Sequence, residues 1–563
     1  MAEQPKETKA QRVERLKREK NAWEHLDEIR SFARNGFESI PPEWLGTYFR
    51  AWGVYTQGDG AGVVGSKGGE GKAIPYFMVR IRIPNGLLLA HQLRTIAEVA
   101  EKYARGTADL TVRQNVQLHW VTIEDLPAVL DELWRCGLTT LGSCGDDARN
   151  IVGCPLAGVD ACEFYDASPL LLEANTQFVG NAEFYNLPRK FKMCITGCNV
   201  WCSYPEINDV ALTATRRGQE IGFSLRVAGG LSTDPHLARR LNAFIQPHQA
   251  LSVLKAIAGI FRDSEVLREN RERARLKFLF LRYGWTEECF LEELHRRIGF
   301  QLDPAVDEDL PDDVYRDHVG IHPQKQPGYY YVGASVLRGR ISAQQLRTVA
   351  GLADTYAGGE VRTTTMQNLL IVNVTRENVA ALAGRLTLAG LPIEGSPFAR
   401  GVVACSGTEF CKLAVTETKS YARWLVEELD TRFPGFEQDL RLNITGCPNS
   451  CGQHWIADLG LEGKKIKRDG RMVDAYYFCV GGGVGKHQSI ARPVGYRCAA
   501  DQVPDAIERL LTDFRETRQA DENLRQYFAR HSNDEIRAVL AGQAAEPAER
   551  DPSPGRVSHG VEG

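Results

Sequence analysis

Four cysteines in the second half of the chain have the spacing of a metal site. Cys405 and Cys411 have five residues between them, and Cys447 and Cys451 have three. Thiolates are preferred ligands of both zinc and iron–sulfur clusters. Structural zinc sites usually use pairs separated by about two to four residues, which the first pair exceeds. The spacing therefore favours an iron–sulfur cluster, while zinc and unrelated buried thiols stay open as alternatives.

The chain contains an internal duplication. Residues 93–115 (LRTIAEVAEKYARGTADLTVRQN) align without a gap with residues 346–368 (LRTVAGLADTYAGGEVRTTTMQN), and 11 of the 23 pairs are identical. Further along, ITGCNVWC from Ile195 recurs as ITGCPNSC from Ile444. A repeat of this length predicts two similar halves rather than a solenoid. A ligand that lies between pseudo-symmetric halves is a natural expectation.

The first half carries a partial copy of the cysteine group. Cys154, Cys198 and Cys202 match Cys405, Cys447 and Cys451, and Cys162 lies near where a fourth ligand would fall, with a different spacing. Cys194 has no counterpart. The first-half thiols are interpreted as a decayed second cluster site, with a functional second metal site as the alternative. The isolated thiols Cys136, Cys289, Cys479 and Cys498 are predicted to be buried apolar groups.

Each half opens with an extended apolar run, a helical stretch and a second extended run. In the first half these runs are YFMVRIRI from Tyr76 and VQLHWVTI from Val116, and the second half has LLIVNVT from Leu369. Strand–helix–strand with polar turns is typical of an α+β unit of ferredoxin-like type. A larger mixed segment that carries the cysteines follows in each half.

Basic residues form a second group of candidates. The first half places them on predicted strands or turns, and they are Arg80, Arg113, Arg149, Lys190 and Lys192. Each alone would be interpreted as a solvated surface charge, but three of them flank the first-half cysteines. Arg offers a permanently charged fork for anions, whereas a buried Lys can shift its pKa and supply protons.

Around these residues the sequence resembles the ferredoxin-dependent nitrite and sulfite reductases. The resemblance runs from about Trp44 to about Phe514 and includes Gly446, Pro448 and Asn449 beside the cysteines. The further matching motifs are RQN at Arg113, LPRK at Leu187, EINDVAL at Glu206, HVGIHPQKQ at His318 and ETK at Glu417. The implied fold is an internally duplicated α+β fold with two ferredoxin-like half-domains and two larger sirohaem- and cluster-binding domains.

The resemblance also implies cofactors and roles. The four matching cysteines would hold one [4Fe–4S] cluster, and Cys451 would bridge it to the iron of one sirohaem. Arg113 would contact carboxylates of the macrocycle. The catalytic residues around the open face of the iron would be Arg80, Arg149, Lys190 and Lys192. Sirohaem carries many carboxylates, and their burial requires cationic partners.

From these signals we predict six segments. They are a charged helical segment at 1–40, a ferredoxin-like half-domain at 41–125, a sirohaem-binding domain at 126–315, a second half-domain at 316–395, a [4Fe–4S] and sirohaem domain at 396–540, and a disordered tail at 541–563.

The substrate prediction is divided between nitrite and sulfite. HPQKQ at His322 and VGGGVGKH at Val480 resemble the nitrite branch, and nitrite reduction to ammonia is the favoured prediction. A lysine at the position of Lys192, however, resembles the sulfite branch of the family. A second cation there suits sulfite, a dianion, better than nitrite, a monoanion. Tyr55 and Cys144 also match a pair that is covalently joined in a mycobacterial-type sulfite reductase. Sulfite reduction to sulfide is therefore the alternative.

Composition and charge bear on the binding partners and the location of the protein. The 563 residues carry a net charge of −4, which implies no bulk attraction to nucleic acid or anionic membranes. Neither a run of about 18 apolar residues nor the apolar segment of a secretory signal is present. We expect a cytoplasmic monomer. No dinucleotide fingerprint opens a βαβ unit, so the electrons are expected to come from a partner, and the family resemblance implies that this partner is reduced ferredoxin.

Two other classes of protein stay open. A zinc-stabilised binding module would explain the cysteines but not the basic residues. An oxygenase of the same fold, as found in cobalamin synthesis, would share the cluster and act on a tetrapyrrole, and the pair of lysines argues against it.

Overall fold

The computed structural model describes residues 7–62, 70–312 and 314–543. The strands are β1 (Val54–Gly58), β2 (Ala73–Ile81), β3 (Leu87–Leu89), β4 (Thr107–Leu110), β5 (Val116–Val121), β6 (Met193–Thr196), β7 (Val210–Arg217), β8 (Glu220–Val227), β9 (Arg239–Ile245), β10 (Gly320–Pro323), β11 (Tyr329–Ala334), β12 (Arg340–Ser342), β13 (Glu360–Thr363), β14 (Leu369–Thr375), β15 (Val402–Ala404), β16 (Leu442–Thr445), β17 (Leu459–Arg468), β18 (Arg471–Val480) and β19 (Arg492–Ala499).

The α-helices lie between and around these strands. They are α1 (Lys9–Glu19), α2 (Leu26–Asn35), α3 (Phe49–Ala51), α4 (Ala90–Tyr103), α5 (Leu126–Arg135), α6 (Ser168–Phe178), α7 (Ala250–Asp263), α8 (Lys277–Arg282), α9 (Glu287–Ile298), α10 (Ala343–Tyr356), α11 (Arg376–Leu388), α12 (Pro397–Gly401), α13 (Gly407–Phe410), α14 (Lys419–Arg432), α15 (Val503–Thr517), α16 (Leu524–Arg530) and α17 (Asn533–Ala541). No helix in the described ranges combines the length and apolarity that crossing a bilayer requires.

Two antiparallel five-stranded sheets, one from each half of the duplication, exchange a strand with each other. Their strand orders are β1-β2-β5-β4-β12 and β10-β11-β14-β13-β3. β12 of the second half thus pairs with β4 of the first, and Arg340 lies opposite Asp109. Reciprocally, β3 pairs with β13, and Leu88 lies opposite Val361. Each half therefore completes the sheet of the other.

One hydrophobic core serves both sheets. Helices α4 and α10 pack against each other, and both bury residues at the i, i+3, i+4 and i+7 spacing of an amphipathic helix. The buried positions are Leu93, Ile96, Ala97 and Ala100 in α4, and Leu346, Val349, Ala350 and Ala353 in α10. Helix α5 packs into this same core through Leu126, Val129, Leu130 and Leu133.

The cysteine-bearing segments belong to two mixed sheets with cores of their own. The sheet of the first half has the order β6-β7-β8-β9, and that of the second half has the order β15-β16-β17-β18-β19. β15 and β16 are parallel, with Ala404 opposite Ile444. Because the carboxyl ends of neighbouring parallel strands meet at one edge of a sheet, the segments that carry Cys405 and Cys447 leave the sheet side by side.

The duplication is preserved in the backbone conformation. Five equivalent pairs of non-glycine residues have a left-handed φ of between 54° and 68°, and they are Asn85 and Arg338, Gln114 and Gln367, Trp120 and Asn373, Trp201 and Ser450, and Tyr204 and Gln453. Such residues cost of order 1–3 kcal/mol each and persist only where the surroundings impose them. Trp201 and Ser450 directly precede Cys202 and Cys451, so the same strained turn orients the last cysteine in both halves.

The predicted fold class is confirmed: the chain is α+β and internally duplicated, with a ferredoxin-like half-domain in each half. The extended runs predicted from Tyr76, Val116 and Leu369 fall in β2, β5 and β14. The division into six segments stays a prediction. Of the predicted tail, 541–563, residues 544–563 lie outside the described residues, as do residues 1–6 of the predicted N-terminal segment.

Candidate functional site

The four second-half cysteines occupy the edge where β15 and β16 end. Cys405 follows β15 directly, Cys447 lies two residues after β16, and Cys411 follows α13. The backbone N–H of Gly446 donates to the Cys405 sulfur at 3.2 Å, and the Asn449 side-chain amide donates to the Cys447 sulfur at 3.5 Å. Hydrogen bonds of this kind stabilise thiolates that bind a metal or a cluster.

These thiols act on one another electrostatically. Burial, together with the neighbouring sulfurs of Cys451 and Cys405, raises the pKa of Cys411 to about 12. Burial also raises the pKa of Cys405 and Cys447, with Cys451 the next contributor in both. Both effects oppose ionisation of the bare thiols, so the thiolates would form only with a cation bound between them. That these four cysteines hold one cluster stays a prediction.

The spacing of the four sulfurs fits a cluster better than a single ion. Within the described ranges, the three-residue cysteine group whose sulfurs all lie within 4.8 Å of one another belongs to the first half, not to this quartet. A tetrahedral zinc ion draws its thiolates to about 3.8 Å from one another, since zinc–sulfur bonds measure about 2.3 Å. In a [4Fe–4S] cluster each thiolate binds a different iron, which requires the wider separation.

Cys451 differs from the other three in its exposure. Cys447 is buried and Cys405 and Cys411 are partly buried, whereas Cys451 is exposed. Cys451 nevertheless contributes to raising the pKa of Lys190, so the two side chains lie within electrostatic reach of each other. An exposed thiolate opposite a lysine fits the predicted position of Cys451 between the cluster and a tetrapyrrole iron.

Lys190 and Lys192 are cations without partners. Burial, together with the charges of Arg189 and Arg275, lowers the pKa of Lys190 to about 7. Burial likewise depresses the pKa of Lys192, with contributions from Arg113 and Arg275. Neither ammonium group has a hydrogen bond or an ion pair among the described residues. Unpaired cations in a desolvated place indicate that an anion binds there.

Arg113 has one buried N–H group without a hydrogen-bond partner among the described residues. Its Nη1 donates to the Asn208 side chain at 2.8 Å and its Nη2 to the Asn150 carbonyl at 2.6 Å. The Nε of Arg113 is buried and has no partner in the described part of the chain. Burial lowers the pKa of this guanidinium to about 9. A guanidinium held by two bonds with one free N–H fits the predicted contact with a macrocycle carboxylate.

The other two predicted arginines lie with the predicted crosslink pair. Arg80 donates from Nη1 to the Cys144 sulfur at 2.9 Å, and Arg149 donates to the Ser143 carbonyl at 3.2 Å. Burial raises the pKa of Tyr55, as does the charge of Cys144, while Arg149 lowers it. The structure thus brings Arg80, Arg149, Tyr55 and Cys144 together, and the charge of Arg149 also acts on Lys190.

Sequence reasoning missed the groups that hold these cations in place. The Gln117 carbonyl accepts from Arg80 at 2.9 Å, and its amide donates to Ser406, next to Cys405, at 3.4 Å. Asp209 accepts from Arg275 at 2.8 Å and from the backbone N–H of Lys192 at 2.8 Å. Asp209 lies in the EINDVAL motif, which was a usable signal, whereas no pattern in the sequence singles out Gln117 or Arg275.

In the first half three of the four candidate cysteines meet. Cys154, Cys198 and Cys202 are buried, and the Cys202 and Cys154 sulfurs lie 3.7 Å apart. Cys162 is exposed and stays outside this group, with its sulfur 4.0 Å from Nη2 of Arg316. Cys194 is also separate, since its sulfur contacts the Ser203 hydroxyl at 3.3 Å.

Two protein families match this chain, and each of them matches it in both halves. A family described as the nitrite and sulphite reductase 4Fe-4S domain matches residues 144–302 and 395–547. A second family, described as the nitrite/sulfite reductase ferredoxin-like half domain, matches residues 72–135 and 322–389. The duplication deduced from sequence therefore appears as two copies of each unit.

Individual relatives carry both substrate names. The chain is 37% identical over 561 residues to an assimilatory ferredoxin-dependent nitrite reductase of Haloferax mediterranei, covering 93% of this chain and 92% of that one. It is 35% identical to a ferredoxin–nitrite reductase of Synechococcus elongatus, with 90% and 96% covered. It is also 35% identical to a ferredoxin sulfite reductase of Mycolicibacterium paratuberculosis, with 90% and 92% covered.

A solved structure shares the whole fold. The NirA protein of Mycobacterium tuberculosis superposes with a TM-score of 0.87 at 33% sequence identity, covering 93% of this chain and 97% of that one. The cofactors predicted from the sequence, a sirohaem and a [4Fe–4S] cluster, are those that such kinship implies. With both domain families matched in both halves, the chain belongs to the nitrite and sulfite reductase family and is an enzyme of that family.

Proposed function

We propose that this enzyme carries out the assimilatory six-electron reduction of nitrite to ammonia with electrons from reduced ferredoxin. The observation that supports reduction of a small oxyanion is the lysine pair, Lys190 and Lys192, neither of which has a partner among the described residues. Small oxyanions need such a cationic pocket. Two of the relatives compared above, at 37% and 35% identity, are named ferredoxin-dependent nitrite reductases, which supports both the substrate and the donor.

The cysteine quartet would hold the cluster, with Cys451 reaching the sirohaem iron. When bound, the sirohaem and the cluster supply the electrons and the iron at which the nitrogen–oxygen bonds are broken. The protein contributes charge and protons around that iron. Arg113, with its free Nε–H, would pair with a carboxylate of the macrocycle.

Arg80 and Arg149 are proposed to bind and orient the anion. Both guanidinium groups are anchored on the 143–145 segment, by Cys144 for Arg80 and by the Ser143 and Gly145 carbonyls for Arg149. Anchored guanidinium groups can stabilise developing negative charge without reorganisation, which is the source of most electrostatic catalysis.

Lys190 is proposed to hold and deliver protons. Its pKa of about 7 makes the ammonium and the amine similarly accessible at neutral pH, which is the condition under which a general acid is most effective. Lys192, beside it, would add a second positive charge once a bound anion offsets the burial that depresses its pKa.

Sulfite reduction to sulfide is the second candidate function. Lys192 favours it, because an extra cation stabilises a dianion more than a monoanion. The proximity of Tyr55 and Cys144 favours it as well, since this pair matches the one that is joined in a mycobacterial-type sulfite reductase. A relative at 35% identity is named a ferredoxin sulfite reductase.

Steady-state rates with reduced ferredoxin and each anion separate the two candidates. We expect a higher kcat/KM for nitrite than for sulfite, with ammonia as the product. A kcat/KM for sulfite above that for nitrite would overturn the proposal in favour of the second candidate. The variant Lys192→Asn should shift the ratio further toward nitrite, and an unchanged ratio would place Lys192 outside the substrate pocket.

A further inference from the structure

The buried cysteine triad of the first half, Cys154, Cys198 and Cys202, has a geometry that the reaction does not use. The three sulfurs all lie within 4.8 Å of one another, and those of Cys154 and Cys202 are 3.7 Å apart. Two thiolates bound to one tetrahedral zinc ion lie about 3.8 Å apart, given zinc–sulfur bonds of about 2.3 Å. Cys198 and Cys202 are also separated by three residues, within the usual spacing of zinc-binding cysteine pairs.

A buried imidazole beside the triad has no partner. His318 is 4% exposed, and neither of its ring nitrogens has a hydrogen-bond partner among the described residues. The ring lies against Tyr331, with the ring centroids 6.5 Å apart, and Tyr331 packs in the same cluster as the triad. Cys198 is near enough for its charge to act on the imidazole. Buried polar groups almost always have a partner, so this one points to a missing ligand.

We propose that Cys154, Cys198 and Cys202 bind one zinc ion as thiolates, and that the His318 imidazole, which lies outside the 4.8 Å group of the three sulfurs, turns toward the ion as the fourth donor. Three sulfurs and one nitrogen form a common structural zinc set, and thiolate and imidazole donors in tetrahedral array are typical of zinc. The site is the pseudo-symmetric counterpart of the cluster quartet, yet its compact spacing suits a single ion. The inference does not depend on which anion the enzyme reduces.

The alternative, in which the three thiols pack as small apolar groups, explains the arrangement less completely than a zinc site does. That alternative accounts for the apolar neighbours of the triad, such as Leu156 and Val372. It gives no reason for three sulfurs to converge, nor for an imidazole to be buried beside them with two unsatisfied nitrogens. Each such unsatisfied group costs about 1–3 kcal/mol when it is buried.

The zinc site would connect the two halves of the molecule. The three cysteines come from the first half, whereas His318 lies in the segment that leads into β10 of the second half. The Thr365 hydroxyl of the second half already donates to the Cys202 carbonyl at 2.6 Å. A closed site with four protein ligands has no position for substrate, so its role would be to stabilise the fold.

The test measures zinc and iron per chain in holoenzyme purified without chelators from cells supplied with both metals. We expect near-stoichiometric zinc in the unaltered protein and only traces in Cys198→Ala, with the iron of the sirohaem and cluster unchanged. Cys194→Ala is the matched control, because Cys194 is a buried thiol four residues away that bonds to Ser203 instead. It should keep its zinc.

Anomalous X-ray differences on the two sides of the zinc absorption edge provide a measurement that needs no variant. A peak between the three sulfurs is expected. The proposal would be overturned by a protein without zinc, by zinc that survives Cys198→Ala, or by a disulfide between Cys154 and Cys202. A different outcome would be more iron than the sirohaem and one cluster account for, with the excess lost in Cys198→Ala. This outcome would indicate a second cluster instead of zinc and would also overturn the proposal.

The role of His318 has its own readout. In His318→Gln, transfer of zinc to a competing chelator should be at least about 10-fold faster, since even the outer partners of metal ligands contribute about 10–100-fold to affinity. His322→Gln is the control, because its Nε2 contacts the Val319 carbonyl at 2.8 Å. Equal transfer rates in the two variants would remove His318 from the site.

Discussion

The Arg80 guanidinium lies 2.9 Å from the sulfur of Cys144, and the same side chain also donates to Gln117 at 2.9 Å. Gln117 in turn reaches the hydroxyl of Ser406, the residue after Cys405. One arginine therefore connects the predicted crosslink pair with the segment that carries the cluster. Any change at Cys144 acts on the position of a cation that is proposed to bind substrate.

The second candidate function, sulfite reduction, predicts that Tyr55 and Cys144 are covalently joined in the mature enzyme. Joining the Cys144 sulfur to a carbon of the Tyr55 ring breaks one S–H and one C–H bond and passes two electrons and two protons to an external oxidant such as dioxygen. The linked peptides therefore have the mass of the separate peptides less two hydrogen atoms. Tyr55→Phe should abolish the linked species, and Cys136, a partly buried thiol elsewhere in the first half, should appear unmodified in both proteins. Separate, unmodified Tyr55 and Cys144 peptides from active enzyme would refute the prediction.

Cys451→Ser should remove the coupled chromophore. A serine oxygen is a poor substitute for a thiolate that must bind the cluster and reach the sirohaem iron. We expect the visible spectrum to lose its Soret and red bands or to change their positions, the iron content to fall, and reduction of either anion to stop. Cys289→Ser is the control and should retain both cofactors, because Cys289 is isolated and exposed; the sequence prediction that this thiol is buried is wrong. Normal activity of Cys451→Ser would contradict the assignment of the cluster ligands.

The sequence was sufficient for the parts of the site that the chain repeats or groups locally. The cysteine pairs stand out because each pair is close in sequence, whereas the sheet edge at which Cys405 and Cys447 follow β15 and β16 was not predicted. Gln117 and Arg275 escape such reasoning, since their partners Ser406 and Asp209 are distant in sequence and nothing local distinguishes them.

The exchange of strands between the half-domains could likewise not be predicted from the sequence. β3 and β12 have three residues each, which is too short to show the alternation of apolar and polar residues that identifies a strand. Each of them pairs with a strand of the other half, which is a tertiary contact that local sequence does not specify. The compact arrangement of the cysteine triad could not be predicted from the sequence either. The spacing of the cysteines did not show that Cys162 lies outside the triad.

The affinity for nitrite is predicted to depend on the protonation of Lys190. Burial lowers the pKa of Lys190 to about 7, so the group is a cation below that pH and a neutral amine above it. Because nitrite is an anion, kcat/KM should fall as the pH rises through about 7. A profile from about pH 6 to pH 9 measures this.

Lys190→Arg provides the comparison for the pH profile. A guanidinium stays charged over this range, so the fall near pH 7 should disappear even if the maximal rate is lower. A fall of the same size and midpoint in Lys190→Arg would show that another group is responsible.

The last prediction concerns the ion pair across the exchanged strands. Asp109 is 2% exposed, and Arg340 of β12 contacts it at 2.9 Å, while His119 and Lys419 lie at 3.3 and 3.8 Å. Burial acts to raise the pKa of Asp109, but the charge of Lys419 and the hydrogen bonds of His119 and Arg340 hold it well below its ordinary value. Removing one partner of such a buried pair costs about 3–5 kcal/mol.

Arg340→Met should therefore lower the Tm, measured by calorimetry at neutral pH. A carboxyl with a depressed pKa contributes stability above its ordinary pKa of about 4, and that stability is lost as the pH falls below it. The difference in Tm between Arg340→Met and the unaltered protein should accordingly shrink toward acid pH. Arg423→Ala removes an exposed pair with Glu427 and should cost at most about 1 kcal/mol at any pH. Equal effects of the two variants at neutral pH would mean that the exchanged strands do not depend on the buried pair.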